Sequence, residues 1–328
     1  MVLVTGATGR IGNVLIKELI KRGYKVRALV RDSSDTNSIK DCECEIVTGD
    51  VRNYDSLEKA CEGVEAVFHL ASYINISYYD KEYTYDININ GTKNLVNICI
   101  LKDIDLVYTS SIHAFSTADK LITEKTPFCI DTNEKRGHYD CSKAYATKEV
   151  LSGMQRGLRA IIIAPTGVTG PYDYRPSYFG QSMIQLVDSG LTSTIDGKYD
   201  YVDVRDVVEG MIKAFEMKKF GEIYLLSGEA IGMRDYVNYL REFETGKKFK
   251  PLKIIKYSLA KFISYLLSFF NKKSTITPYS LDTLNSNSNI SHQKATQELG
   301  YNPMPLKKSL LDQYNWFRDN GYFKSKKK

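Results

Sequence analysis

The chain lacks several features that would each have pointed to a function class. Its six cysteines, Cys42, Cys44, Cys61, Cys99, Cys129 and Cys141, have no paired spacing, and the nearest two are one residue apart. That excludes the usual zinc arrangements. No basic-then-apolar leader precedes the strand expected from Val2, so the expectation is a cytoplasmic protein with reduced thiols. Charge of one sign is scarce: the net is +6, and the solvated tail Lys324, Lys326, Lys327, Lys328 supplies four of those charges. No nucleic-acid footprint is present. The most apolar stretch, Leu252 to Phe270, is broken by Lys253, Lys256 and Lys261, short of the roughly 18 unbroken residues a membrane span needs. Ile255, Leu259, Phe262, Leu266 and Phe270 follow helical spacing there, with Lys261, Ser264 and Ser268 elsewhere on the wheel. We expect the apolar side to pack over the substrate-binding part of the fold; peripheral contact with a membrane is the alternative. Internal repeats and flexible linkers are also missing.

What is present is a 328-residue chain, 43% hydrophobic and 26% charged, long enough for a large core in one α/β domain or two smaller ones. Short β-branched runs alternate with helical patterns, as in a parallel sheet covered on both faces. The expected strands are Val2 to Thr5, Lys25 to Val30, Glu45 to Thr48, Ala66 to Leu70, Leu106 to Ser110 and Arg159 to Ala164. Ile11, Leu15 and Leu19 recur every four residues, predicting a helix from Ile11 to Arg22 that ends at Gly23. After Pro165 the pattern loosens and then returns at Tyr201 to Val204, Asp206 to Phe215 and Glu222 to Leu226. We read a Rossmann-type doubly wound sheet built from 1–167 and 201–228, interleaved with a smaller substrate-binding domain from 168–200 and 229–328.

The chemistry-bearing residues begin with Gly6-Ala7-Thr8-Gly9-Arg10-Ile11-Gly12, between an expected strand and an expected helix. There Gly6 permits a tight turn, Gly9 lets backbone approach a pyrophosphate and Gly12 allows close helix packing, while the helix N-terminus offers N–H groups to the anion. About twenty residues on, Arg31 and Asp32 end the second strand, where an acid would accept from the 2′-hydroxyl of NAD and an arginine would pair with the 2′-phosphate of NADP. Arg31 comes first and Arg10 lies in the turn, so two cations are expected to converge on that phosphate. The expectation is NADP, with NAD the alternative. Tyr139 and Lys143, four apart, share one helix face. An ammonium beside a phenol favours the phenolate, which would lower the pKa of Tyr139 and let it pass a proton to or from a substrate oxygen. Thr109-Ser110-Ser111 stands at the end of the fifth expected strand. His69 and His113 lie in or beside buried strands, and structural roles are expected for both.

Together the glycine turn, a strand-end serine and Tyr-x-x-x-Lys resemble the extended short-chain dehydrogenase/reductase family, within the NAD-dependent epimerase/dehydratase superfamily. Further matches fall in the family's order at Gly49-Asp50-Val51, Val67 to Ala71, Asn88 to Thr92, Pro165 to Val168 and Tyr201 to Val207. The resemblance implies Asp50 and Val51 at the adenine, Ala71 at the nicotinamide ribose, and Pro165 with Val168 at the nicotinamide ring. It also implies Ser111 and Tyr139 on the reacting oxygen, with Lys143 on the ribose hydroxyls, and places Ser110 as a strand-end residue facing the core.

Val107 to Ile112 and Gly170 to Pro176 look more like dihydroflavonol-reductase-like and 3β-hydroxysteroid-dehydrogenase-like members than sugar-nucleotide epimerases. The expectation is therefore hydride transfer between NADP(H) and a carbonyl or alcohol of a small hydrophobic substrate. The alternative is a sugar-nucleotide epimerase or dehydratase with retained NAD. The pocket is expected to be walled by Tyr172, Tyr174, Phe179 and the Leu259 to Phe270 helix, with Arg175 as its one nearby cation. An intact Ser111, Tyr139 and Lys143 set argues against a non-catalytic regulator on the same fold. A homodimer is compatible with the chain.

Overall fold

The computed structural model describes residues 1–76, 79–190, 192–246, 253–270 and 277–324, with the side chains of 193 and 266–270 left aside. Its strands are β1 (Val2–Thr5), β2 (Val26–Val30), β3 (Glu45–Thr48), β4 (Ala66–His69), β5 (Asp105–Thr109), β6 (Ala160–Pro165), β7 (Gly167–Thr169), β8 (Ser193–Ile195), β9 (Lys198–Asp203), β10 (Ile223–Leu226), β11 (Glu229–Gly232) and β12 (Lys253–Ile255). Seven of them form one sheet in the order β10-β6-β5-β4-β1-β2-β3, with every neighbouring pair parallel. Alternate residues leave the sheet on opposite faces, as a period of two requires. Val2, Val4, Phe68, Val107 and Ile161 join Leu15, Leu19, Val208 and Met211 of helices Arg10–Lys21 and Val204–Glu216 in one core. Leu3, Val67, Leu106 and Ile162 join Leu95, Val96, Ala146 and Val150 of helices Gly91–Lys102 and His138–Gln155 in the other.

The strand order reverses between β1 and β4, and that is where a doubly wound sheet opens a crevice at its carboxyl edge. β7, β9 and β11 form a three-stranded sheet of their own, while β8 pairs with β12. The β9 segment, whose end the sequence reading placed with the nucleotide-binding unit, thus lies beside rather than within the seven-stranded sheet. A third core of Met183, Tyr199, Tyr201, Tyr236, Leu310 and Phe317 underlies this smaller sheet. Among the described residues, no helix is long and apolar enough to cross a membrane.

Candidate functional site

Gly6, Ala71 and Ser111 lie just past the carboxyl ends of β1, β4 and β5, Arg31 and Asp50 just past β2 and β3, and Tyr139 and Lys143 on helix His138–Gln155. Gly6 follows β1 with φ +67°, and a Cβ there would fall 2.7 Å from the backbone of Leu70 and Ala71 after β4. Gly12 is tighter still, since a Cβ would meet the Gly6 carbonyl oxygen at 2.3 Å. Gly9 caps the helix Arg10–Lys21 and supplies no side chain, so the first-turn N–H groups face outward without a side-chain cap. Thr5 holds the opposite wall: its hydroxyl accepts from the backbone N–H of Leu70 and Ala71, each at 3.2 Å. A bare helix N-terminus in a cradle without side chains fits the pyrophosphate of a dinucleotide.

Arg31 and Asp32 are exposed at the tip of β2, and the Arg31 guanidinium makes no hydrogen bond or ion pair among the described residues. Arg10 faces the other way. It donates to the carbonyl oxygens of Val168 at 2.8 Å and Gly170 at 2.6 Å and to the Ser177 hydroxyl at 3.0 Å, and it pairs with buried Asp173 at 3.4 Å. The expected convergence of Arg10 with Arg31 on a 2′-phosphate is therefore corrected. Arg10 clasps the glycine turn to the 168–177 loop because Asp173, buried beneath it, needs a cation. Asp50 is bound in turn by Arg52, at 3.0 and 2.8 Å, and Val51 is buried against Gly91. Ala71 lies half-buried beside Gly6, Pro165 ends β6, and half-buried Val168 follows on β7.

Beyond β5, Ser111 and Tyr139 are both buried. Burial pushes the Tyr139 phenol up to about 12, and the Ser111 side chain nearby offsets only part of this. That reverses the expected lowering by Lys143. The lysine is itself buried and pushed down to about 7 by desolvation, with the Thr109 carbonyl accepting from its ammonium at 2.7 Å. One of its three donors is thereby used, and the others remain for a ligand. Ser110 faces the core, 2.6 Å from the Thr147 hydroxyl. His69 sits between the hydroxyls of Thr5 and Thr92, held neutral by burial, in the structural role expected of it.

The sequence reading missed the polar wall behind Tyr139. His113 packs edge-on against the Tyr139 ring with centroids 5.9 Å apart, and its Nε2 lies 2.8 Å from the Tyr199 hydroxyl. Its Nδ1 lies 3.2 Å from the Tyr279 hydroxyl and 3.3 Å from Asp140. Tyr279 donates to Asp140, whose other oxygen accepts from Arg136 at 2.9 Å. These partners hold the Asp140 carboxyl below its usual range despite burial, His113 contributing most. Gly137 admits the Tyr279 ring, which a Cβ would meet at 2.6 Å. Only the position of Asp140 beside Tyr139 hinted at this cluster. Replacing Asp140 by Ala removes the nearer partner of the part-buried Arg136 cation and leaves it Glu134 at 3.6 Å, so urea unfolding should show a loss of about 3 kcal/mol, the lower end of the cost of breaking a buried pair. The walls expected from Tyr172 and Tyr174 are elsewhere: both rings lie over Lys17, and Arg175 reaches the carbonyl of Asp35 at 3.4 Å. Phe179 packs in the third core, 4.2 Å from the Tyr201 ring.

Comparison with known proteins agrees with this geometry. The model of the NAD dependent epimerase/dehydratase family matches residues 2–227. Sterol demethylase protein B of Methylococcus capsulatus is 30% identical over 97% of this chain and 98% of its own. A 3-beta-hydroxysteroid dehydrogenase of Mycolicibacterium neoaurum is 24% identical over 92% and 87%. The crystal structure of gox2253 superposes with a TM-score of 0.84 at 31% identity, covering 99% of each chain. A UDP-glucuronic acid 4-epimerase from Bacillus cereus, in complex with UDP-glucuronic acid and NAD, shares the fold at 18% identity, TM-score 0.77, over 97% and 99%. A glycine cradle at the switch point, a buried Ser-Tyr-Lys set beside it and a family match over most of the chain lead to one assignment: this protein is an enzyme of the NAD-dependent epimerase/dehydratase family, an extended short-chain dehydrogenase/reductase.

Proposed function

We propose that the protein transfers hydride between NADP(H) and the carbonyl or alcohol of a small hydrophobic substrate. The observation that carries this reading is the state of three arginines, Arg10, Arg136 and Arg175. Arg10 is taken up by the 168–177 loop, Arg136 by Asp140 and Thr117, and Arg175 is turned toward the loop after β2. A nucleotide sugar brings two phosphates that call for such groups, whereas the rings of Tyr199 and Tyr279 beside His113 offer aromatic surface. In this reading Gly6, Thr8, Gly9, Ile11 and Gly12 cradle the pyrophosphate, Asp50 and Val51 line the adenine, and Ala71, Pro165 and Val168 bound the nicotinamide end. The units 1–167 with 201–228 and 168–200 with 229–328 would divide cofactor from substrate binding. When bound, the cofactor supplies or accepts the hydride. Tyr139, protonated at neutral pH like any phenol and held more firmly so by burial, gives its proton to the carbonyl oxygen, and Ser111 orients that oxygen. Lys143 holds the ribose hydroxyls with the donors that Thr109 leaves free.

NADPH should bind more tightly than NADH through Arg31 alone. One charge-assisted hydrogen bond contributes roughly 1.5–3 kcal/mol, so Arg31→Ala should lose most of the preference, at least about tenfold. Arg10→Ala should leave the ratio unchanged. Titrations followed by cofactor fluorescence read both affinities, and equal affinities in the wild type would remove the NADP assignment.

A further inference from the structure

Helix Tyr257–Phe270 turns two small residues inward. Ala260 and Ser264 are buried, whereas Leu259 is 54% exposed, Phe262 63% and Ile263 39%. For Leu259 and Phe262 this is the reverse of the packing expected from periodicity, while the Leu266 and Phe270 side chains of the same stripe lie outside the described residues. The helix is bolted down by its polar side: Lys261 donates to Asp282 at 2.6 Å and Tyr257 donates to the same carboxylate. Just before it, β12 pairs with β8 and presents Ile254, 38% exposed, between the exposed Lys253 and Lys256. Neither of those lysines has an ion pair among the described residues. The charge of the whole stretch has one sign, for from Gly246 to Leu281 the sequence contains Lys247, Lys248, Lys250, Lys253, Lys256, Lys261, Lys272 and Lys273 and no acid.

We propose that the outward face of Leu259, Phe262 and Ile263, flanked by Lys253 and Lys256, docks on an anionic lipid bilayer. A 14-residue helix is about 21 Å long, too short to span the hydrocarbon core, so it lies in the interface. The apolar face enters the acyl boundary while the lysines meet lipid headgroups. A second copy of the chain is a poorer occupant, because a twofold contact through this face would bring like-charged lysines together. The docked helix stands next to the site. Asp282, its anchor, lies on helix Pro278–Leu284, which also carries Tyr279 to Asp140 and His113 behind Tyr139. Docking is independent of the reaction proposed above, and its test needs no turnover.

The full-length protein should co-float with vesicles of phosphatidylcholine mixed with phosphatidylglycerol, and far less with phosphatidylcholine alone. Leu259→Ser with Phe262→Ser should lower vesicle binding by roughly tenfold or more, since two apolar side chains no longer enter the bilayer. Lys253→Glu with Lys256→Glu should lower it by roughly fivefold for each lysine, and added salt should weaken the wild type. Both pairs are exposed, and an unchanged melting temperature confirms that they fold. Phe262→Trp adds a second reading, because its emission should shift to the blue with anionic vesicles relative to the Trp316 background of the wild type. Equal binding by wild type and both variants, or none by the wild type, overturns the proposal. So does light scattering that shows a dimer in the wild type and a monomer in the Leu259→Ser/Phe262→Ser protein, which would assign the face to a second copy.

Discussion

Tyr139→Phe should lower turnover by roughly 10²–10⁴-fold while leaving folding and cofactor affinity nearly unchanged. The substitution removes one hydroxyl and keeps the ring that His113 packs against. Because the phenol is protonated at neutral pH, the more so for its burial, the loss falls on the proton given to the substrate oxygen, and it should appear in kcat rather than KM. Steady-state rates and the melting temperature of both proteins check this. A Tyr139→Phe protein that keeps most of its activity would place the proton donor elsewhere.

Lys143→Met is expected to damage both cofactor binding and turnover. The ammonium has donors left over after Thr109, and removing two charged hydrogen bonds to ribose should weaken affinity by tenfold to several hundredfold. A pH signature separates this role from simple packing. Burial pushes the folded-state pKa of Lys143 down to about 7, whereas an unfolded lysine titrates near ~10.4. Between those values the unfolded chain binds the extra proton, so the stability of the cofactor-free protein rises with pH from about 7 toward 10. Below about 7 both states are protonated and the cost of burying the charge is fully present. Lys143→Met should be more stable than wild type near pH 7, and the gap should close as pH rises. Urea midpoints across that range measure it; parallel curves would contradict a buried, titrating ammonium.

Much of the architecture was legible because its signals are local. β1 and β3 match the expected strands residue for residue, and the other strands of the large sheet shift by about one residue, since β-branched runs and glycine stops act over a few positions. Ser111, Tyr139 and Lys143 were found by spacing and strand context. The direction of Arg10 was not, because it depends on Asp173 and on carbonyls some 160 residues away. The same holds for Tyr279, brought to Asp140 across 139 positions. Periodicity located the stripe on helix Tyr257–Phe270 but could not tell which side the fold covers, because that depends on contacts with helix Pro278–Leu284, such as Lys261 to Asp282, made some 20 residues along the chain. The Tyr139 phenol went up rather than down because desolvation, invisible in spacing, outweighs a lysine that burial also discourages from carrying charge.

The central claim is the class of reaction, and cofactor stoichiometry tests it most directly. A panel of hydrophobic ketones and aldehydes incubated with the protein and NADPH should cause net loss of the reduced-nicotinamide absorbance, one cofactor oxidised for each carbonyl reduced. UDP-sugars should cause none. A purified protein that carries tightly held NAD, ignores every carbonyl compound and interconverts a nucleotide sugar with no net change in that absorbance would contradict the account and put the epimerase reading in its place.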